Sequence, residues 1–423
     1  MKYKISILFL FQICFIYAES QNIKFAKQII DSLCSPAFHG RGYDFNTNFK
    51  TSEFLKSEFK TLKLKQFNKT YFQDFKLSVN TFQGEMSIIS GDSVLVAGRD
   101  YTVSGFSSQI KGNFPIVRIT AQTIKDSLAL SNVLKSNQSK NIILLDTFGL
   151  HNKTFDKLYK EIAWENKLKS KGIIVIVDKL PAFAPSQETE NFVQIQILRT
   201  KSNNLKDSVT INIDNKFLKD FPVKNVLGFI KGKSDTCIVI SAHYDHVGQF
   251  GKNVYFPGAN DNASGVAMVL NLAEYFSKQK AKPRYTIVFL LFAGEELGIL
   301  GSKYYTENPV FPISKIKFLI NLDMVGSGEN GIQIVNSTVF TKEFDLLNSI
   351  NSEKKYLTQI KKRGAAANSD HYFFYEKGVR CFFVYTLGNY KEYHNIYDRS
   401  DKLPLNKFED LTSLIRDFIT KLN

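Results

Sequence analysis

The chain has 423 residues, 43% of them hydrophobic, with 55 basic against 40 acidic side chains and a formal charge of +15. Such a hydrophobic share fills the core of one large domain or two ordinary ones and excludes a disordered or fibrous chain. The lysines are scattered (60–65, 167–171, 361–363) without aromatic interleaving on a nucleic-acid module, so the charge reads as a basic, solvated surface and no nucleic-acid partner is expected.

The start, MKYKISILFLFQICFIYAES, has Lys2 and Lys4, then a mainly apolar stretch from Ile5 to Ala18, then Glu19 and Ser20. That stretch is shorter than the roughly 20 residues that cross a bilayer. Residues 1–18 therefore read as a removable export signal. The mature chain is then periplasmic or extracellular, without stable membrane insertion. An uncleaved anchor is the alternative, because Ile16 is bulky for a position two residues before the cleavage point, and Cys14 follows an Ile13 too bulky for lipoprotein processing. Of the remaining cysteines, Cys34, Cys237 and Cys381, two lie inside apolar runs and the number is odd, so no essential disulfide is expected. Without a C-x-x-C pair, cysteine-based metal sites are excluded. The sequons at Asn68, Asn137, Asn152 and Asn336 are weak signals.

Between Gln21 and Leu64 apolar residues recur at helical spacing (Ile29, Ile30, Leu33; Phe54, Leu55, Phe59, Leu62) around the turn-rich HGRGYDFN, which predicts two helices and a loop. From Phe72 to Val223 short strand-like segments follow (MSIISGDSVLVAG, NFPIVRI, KNIILLD, GIIVIVD, FVQIQIL), with one helix predicted from Thr154 to Lys169. Beyond Asn225 the apolar runs 237–242, 285–293, 316–322 and 379–386 are continuous, as in strands buried on both faces. Between them lies a helix from about Ala263 to Lys278 with Val266, Val269, Leu270, Ala273 and Phe276 as its inner stripe. Strands alternating with helices predict an α/β fold whose mainly parallel, mixed sheet is covered on both faces, with ligands bound at the carboxyl ends of the strands.

Ionisable groups stand at those ends. CIVISA runs into His243 and Asp245, YTIVFLLFA into Glu295 and Glu296, and IKFLINL into Asp323; VRCFFVYT reaches His394 after a loop, and Asp261 precedes the clear helix. Each alone has an ordinary explanation: Asp261 as a helix-start residue, Asp323 as a turn acid, Glu295 and Glu296 as a solvated pair, the histidines as structural. Together they form an N/O donor set suited to Zn²⁺, Mn²⁺ or Co²⁺. Two neighbouring carboxylates at the mouth of a buried run then make sense if Glu296 is a ligand and Glu295 moves protons. Asp245, two residues after His243, falls on the same side of an extended segment and suits a carboxylate that orients the imidazole.

The motifs SAHYDHVG, GANDNASGVA, FAGEELGILGS, NLDMVG and SDHYFF…YHNIYDRSDKL, in this order, resemble the M28 family of co-catalytic zinc metallopeptidases from Val226 onward, and LCSPAFHGRGY resembles that family's entry region. The resemblance implies a zinc-dependent exopeptidase fold and two divalent ions, zinc by expectation. One would be held by His243, Asp261 and Asp323, the other by Asp261, Glu296 and His394, with Asp261 bridging. It further implies Glu295 as general base, Asp245 as partner of the first histidine, and Tyr393 as a group that steadies the oxyanion. His246, Asp370 and His371 lie in motif neighbourhoods without an assigned role. The implied chemistry is peptide hydrolysis by a water shared between cations roughly 3.5–4 Å apart. Residues 19–84 and 220–423 would then form the catalytic domain, and 85–219 an inserted domain of protease-associated type, able to wall the cleft. Aminopeptidase action on peptide substrates is expected. The alternatives are a single-zinc glutaminyl cyclase and a receptor-like ectodomain with an inactive site.

Overall fold

The computed structural model describes residues 22–43, 47–146, 148–150, 153–203 and 205–422. The expected export signal, Cys14 and the Asn152 sequon lie outside the described residues.

Helices Ile23–Leu33 and Thr47–Thr61 flank the predicted N-terminal loop. The main sheet has eight strands, in the spatial order 72–81, 216–230, 285–292, 234–243, 316–322, 381–386, 332–335, 360–362. Its centre is parallel: Ser234–His243 pairs in parallel with Tyr285–Phe292 and with Ile316–Leu322, which pairs in parallel with Cys381–Thr386. The Phe72–Thr81 and Lys216–Ile230 strands add antiparallel on one side, and Ile332–Val335 pairs antiparallel with Cys381–Thr386 on the other.

The continuous apolar runs have a direct cause. Side chains alternate across a strand, and here both faces are covered. Ile238, Ile240, Ile287, Phe289, Phe318 and Ile320 pack in one core, beside helices Gly265–Lys278 and Phe408–Lys421. Their alternates Val239, Val288, Leu290, Phe292 and Leu319 pack in a second core with Tyr305 and Phe374. The Gly265–Lys278 helix is itself almost enclosed, with every residue from Gly265 to Ala273 buried. Cys34, Cys237 and Cys381 are free and buried.

A second eight-stranded sheet takes its strands from Met86 to Ile213. Ile110–Thr120, Ile142–Asp146, Gly172–Val177 and Val193–Leu198 run parallel at its centre. Cores on both its faces explain why IILL and IIVIV are also uninterrupted. The helix expected over Thr154–Lys169 is shorter: an α-helix over Lys153–Tyr159 continues as a π-turn over Lys160–Trp164. It stops because Asn166 adopts φ 43° and uses its side chain to hold Ser170. Among the described residues no helix is long and apolar enough to cross a membrane.

Candidate metal centre

The parallel register brings His243, Phe292 and Leu322, the last residues of three adjacent strands, to one rim. His243, Glu295, Glu296 and Asp323 therefore meet there, and the loop after the Cys381–Thr386 strand returns His394 to the same place. Asp261 arrives from the turn before the enclosed helix. Gly258 opens that turn at φ 61°, where a Cβ would lie 2.3 Å from the Asp261 carbonyl oxygen and 2.5 Å from a nitrogen of Arg41.

The two oxygens of Asp261 face different imidazoles. Oδ1 lies 3.3 Å from Nε2 of His243 and Oδ2 lies 2.9 Å from Nε2 of His394. On the first side Asp323 Oδ1 lies 3.4 Å, and Glu295 Oε2 4.0 Å, from the His243 Nε2. On the second, Glu296 Oε2 lies 2.9 Å from the His394 Nε2. Thus the five sequence-nominated donors share one cage, with Glu295 at its edge. Tyr393 stacks on the His394 ring, centroids 3.8 Å apart, and is 44% exposed.

Second partners fix these side chains. The expected carboxylate contact between Asp245 and His243 is replaced by a main-chain one: His243 Nδ1 lies 3.1 Å from the Asp245 carbonyl oxygen, and the nearer carboxylate oxygen is 3.8 Å away. The chain leaves the strand after His243, so the same-side rule for extended backbone no longer holds. The Asp245 carboxylate instead accepts the N–H groups of Glu295 and Glu296, at 3.3 and 3.2 Å, and the hydroxyl of Tyr43. Asp323 accepts from Ser369 at 2.9 Å. Asp398 accepts the N–H groups of Asn260 and Asp261 and the hydroxyl of Tyr390. His394 Nδ1 lies 2.7 Å from the carbonyl oxygen of Phe183, in a loop of the second sheet.

Several residues carry weight that local sequence does not show. Arg41 is fully buried and donates to the carbonyl oxygens of Tyr244, Leu33, Pro257, Gly258 and Asp261. His246 places Nδ1 2.7 Å from Glu296 Oε1 and belongs to the same cluster. Asp370 and His371 are buried nearby but outside the two donor clusters. Only their motif setting marked His246, Asp398 and Arg41. Their partners lie far away along the chain.

The donor set fits divalent cations. His243, Glu295 and Asp323 offer donor atoms within 4.8 Å of one another, as do His246, Asp261, Glu296 and His394. Asp323 Oδ1 and His394 Nε2 are buried and make no well-directed hydrogen bond, although other donors of the cage lie 2.9–3.4 Å away, a costly state unless a cation completes them. The electrostatics agree. Burial opposes charge on both imidazoles, yet Asp323 and Glu295 hold His243 well above its ordinary value, and Glu296 with Asp261 raises His394 to about 11. Burial opposes ionisation of Glu296 too, but His394 brings it down to about 2. Burial, reinforced by Asp323 and Glu296, keeps Glu295 well above the usual carboxylate range. The cluster thus draws positive charge into a dry site.

Fold and cage together define an α/β protein with clustered metal-ligating side chains at the strand ends. Residues 225–419 match the model of peptidase family M28. Over 249 residues the chain is 28% identical to Vacuolar membrane protease of Lodderomyces elongisporus, covering 54% of this chain and 24% of that protein. Over 175 residues it is 29% identical to Aminopeptidase YwaD of Bacillus subtilis, covering 37% of this chain and 34% of that one. The alignments thus span no more than about a third of these curated relatives. In fold, the chain is similar to BSAP, a zinc aminopeptidase from Bacillus subtilis, with a TM-score of 0.69 at 19% identity over 94% of this chain and 93% of that one. At that coverage the likeness includes the second sheet.

Proposed function

We propose that the protein is an exported zinc-dependent aminopeptidase that hydrolyses the N-terminal peptide bond of peptide substrates. The observation that carries this reading is the split of Asp261, one oxygen toward His243 and the other toward His394. The family match and the names of the relatives support peptidase chemistry and zinc.

His243, Asp261 and Asp323 would hold one ion, and Asp261, Glu296 and His394 the other. Bound there, zinc would supply Lewis acidity to a water and to the scissile carbonyl. The residues do the rest. Acceptors on Nδ1 of both histidines, the carbonyls of Asp245 and Phe183, turn the Nε2 lone pairs inward. Asp245 holds the Glu295 main chain so that its carboxylate reaches the cage edge. There Glu295 takes a proton from the attacking water as the C–O bond forms, and passes it to the amine nitrogen as the C–N bond breaks. Tyr393 donates its hydroxyl to the carbonyl oxygen as negative charge builds there.

Residues 85–219 act as an inserted unit that walls the cleft. An open cleft of about 480 Å³, lined by Leu180 and Phe183 from this unit and by Tyr393 and His394, adjoins the cage. Its size suits a peptide end rather than a folded protein. A screen of aminoacyl arylamides on zinc-loaded protein, with and without a chelator, tests the reading. Chelator-sensitive release of the arylamine is expected, and hydrolysis absent from every substrate, or indifferent to the chelator, rejects it.

A further inference from the structure

The two halves of the cage are supported differently. His243 ends a strand of the main sheet, and its Nδ1 partner lies two residues on, in the same segment. His394 sits in a loop at φ 48°, a backbone conformation that non-glycine residues seldom adopt. It is held at two points by one residue of the second sheet: Phe183 N donates to the His394 carbonyl at 3.2 Å, and the Phe183 carbonyl accepts from His394 Nδ1 at 2.7 Å. The Phe183 ring is buried against Phe250 and Phe256, with centroids 4.6 and 5.5 Å away, so the carbonyl is not free to turn. Four residues on, Gln187 Nε2 donates to the carbonyl of Leu297, the neighbour of Glu296, at 2.8 Å. Between them, the Ser186 carbonyl accepts from Asn80 of the main sheet at 2.8 Å.

We infer that the Phe183–Gln187 segment is a positioning element for the His394–Glu296 cation position alone, so that the second sheet decides whether that position fills. The inference rests on the paired-cation reading and goes beyond a wall for the cleft. A carbonyl fixed opposite Nδ1 selects the tautomer whose Nε2 is free to bind a metal, and loss of such a partner typically lowers metal affinity about 10–100-fold. Among the described residues the hydrogen bonds of His243 Nδ1 and the Asp323 carboxylate go to Asp245 and Ser369, outside this segment, so that position keeps its affinity.

The test is a cobalt(II) titration of the full chain followed by visible absorption, with folding checked by circular dichroism. Phe183→Ala should weaken one of two binding steps by about 10–100-fold and leave the other within about twofold, whereas Phe183→Leu, which restores apolar bulk, should recover most of the loss. Phe183→Ala added to His394→Ala should cost nothing further. Unchanged affinity for both ions in folded Phe183→Ala, equal weakening of both steps, or full additivity with His394→Ala overturns the inference. If Phe183→Ala does not fold, the exposed Gln187→Ala decides: a smaller loss at the same step supports the element and none rejects it. Wild-type protein that binds fewer than two ions overturns the paired-cation reading as well, whereas two ions bound equally well with and without the Phe183 ring overturns this inference alone.

Discussion

The hydroxyl of Tyr43 donates to Asp245, the carboxylate that accepts the N–H groups of both Glu295 and Glu296. A residue of the N-terminal segment therefore braces the turn that carries the proposed base and a proposed ligand. Tyr43→Phe removes one hydrogen bond to a buried charge, worth about 1.5–3 kcal/mol. We expect a stability loss of that order in urea unfolding and a lower kcat, with zinc content unchanged. Wild-type kcat would show that Asp245 needs no help from Tyr43.

Glu295 reaches the cage edge without lying between the two imidazoles. Glu295→Gln should lower kcat by about 10²–10⁴-fold, the usual yield of general-base catalysis, while elemental analysis finds zinc at the wild-type level. Activity within a few-fold of wild type would give the proton-transfer role to another group.

Removal of zinc leaves Asp261, Glu296 and Asp323 facing one another in a buried site. The chelated protein should melt at lower temperature. Restoring zinc at about 100 times its dissociation constant should return about 2.7 kcal/mol. An identical melting curve with and without zinc would mean that the cage does not bind it in the folded state.

Arg41 donates to five carbonyl groups and meets no carboxylate among those partners. Arg41→Met should destabilise the fold by at least about 3 kcal/mol, since each buried carbonyl left without a donor costs about 1–3 kcal/mol. Arg41→Lys supplies too few donors to replace the planar fork and should recover only part. Denaturant midpoints of the two variants measure this, and equal stability of wild type and Arg41→Met would refute it.

Burial, with a smaller push from Arg363, keeps His371 neutral down to about pH 4. In the unfolded chain the same group protonates near 6.5. Between those values the unfolded state binds more protons, so stability held above pH 6.5 is lost as pH falls toward 4, by about 3 kcal/mol in all. His371→Gln should narrow the difference in melting temperature between pH 7.5 and pH 5. An unaltered difference would place the acid sensitivity elsewhere.

The rim was readable because buried parallel strands announce themselves as apolar runs and each run ended in an ionisable group. His243, Glu296 and Asp323 needed only that rule. His243 is oriented by the main chain of Asp245 more closely than by its carboxylate, because the chain leaves the strand after His243 and the same-side rule of extended backbone ends there. The partner of His394 was beyond reach for a different reason: a main-chain carbonyl carries no residue identity, and Phe183 stands 211 positions away. Arg41 likewise looked like a turn residue, since its acceptors, apart from Leu33, lie more than 200 positions along the chain.

Arg41 and Tyr43 stand near the beginning of the described chain, whereas Tyr390, His394 and Asp398 stand near its end. During synthesis these last three leave the ribosome after the strands of both sheets. A nascent chain that has not reached His394 therefore lacks one of the proposed ligands, and the cage can close only once both sheets have been made.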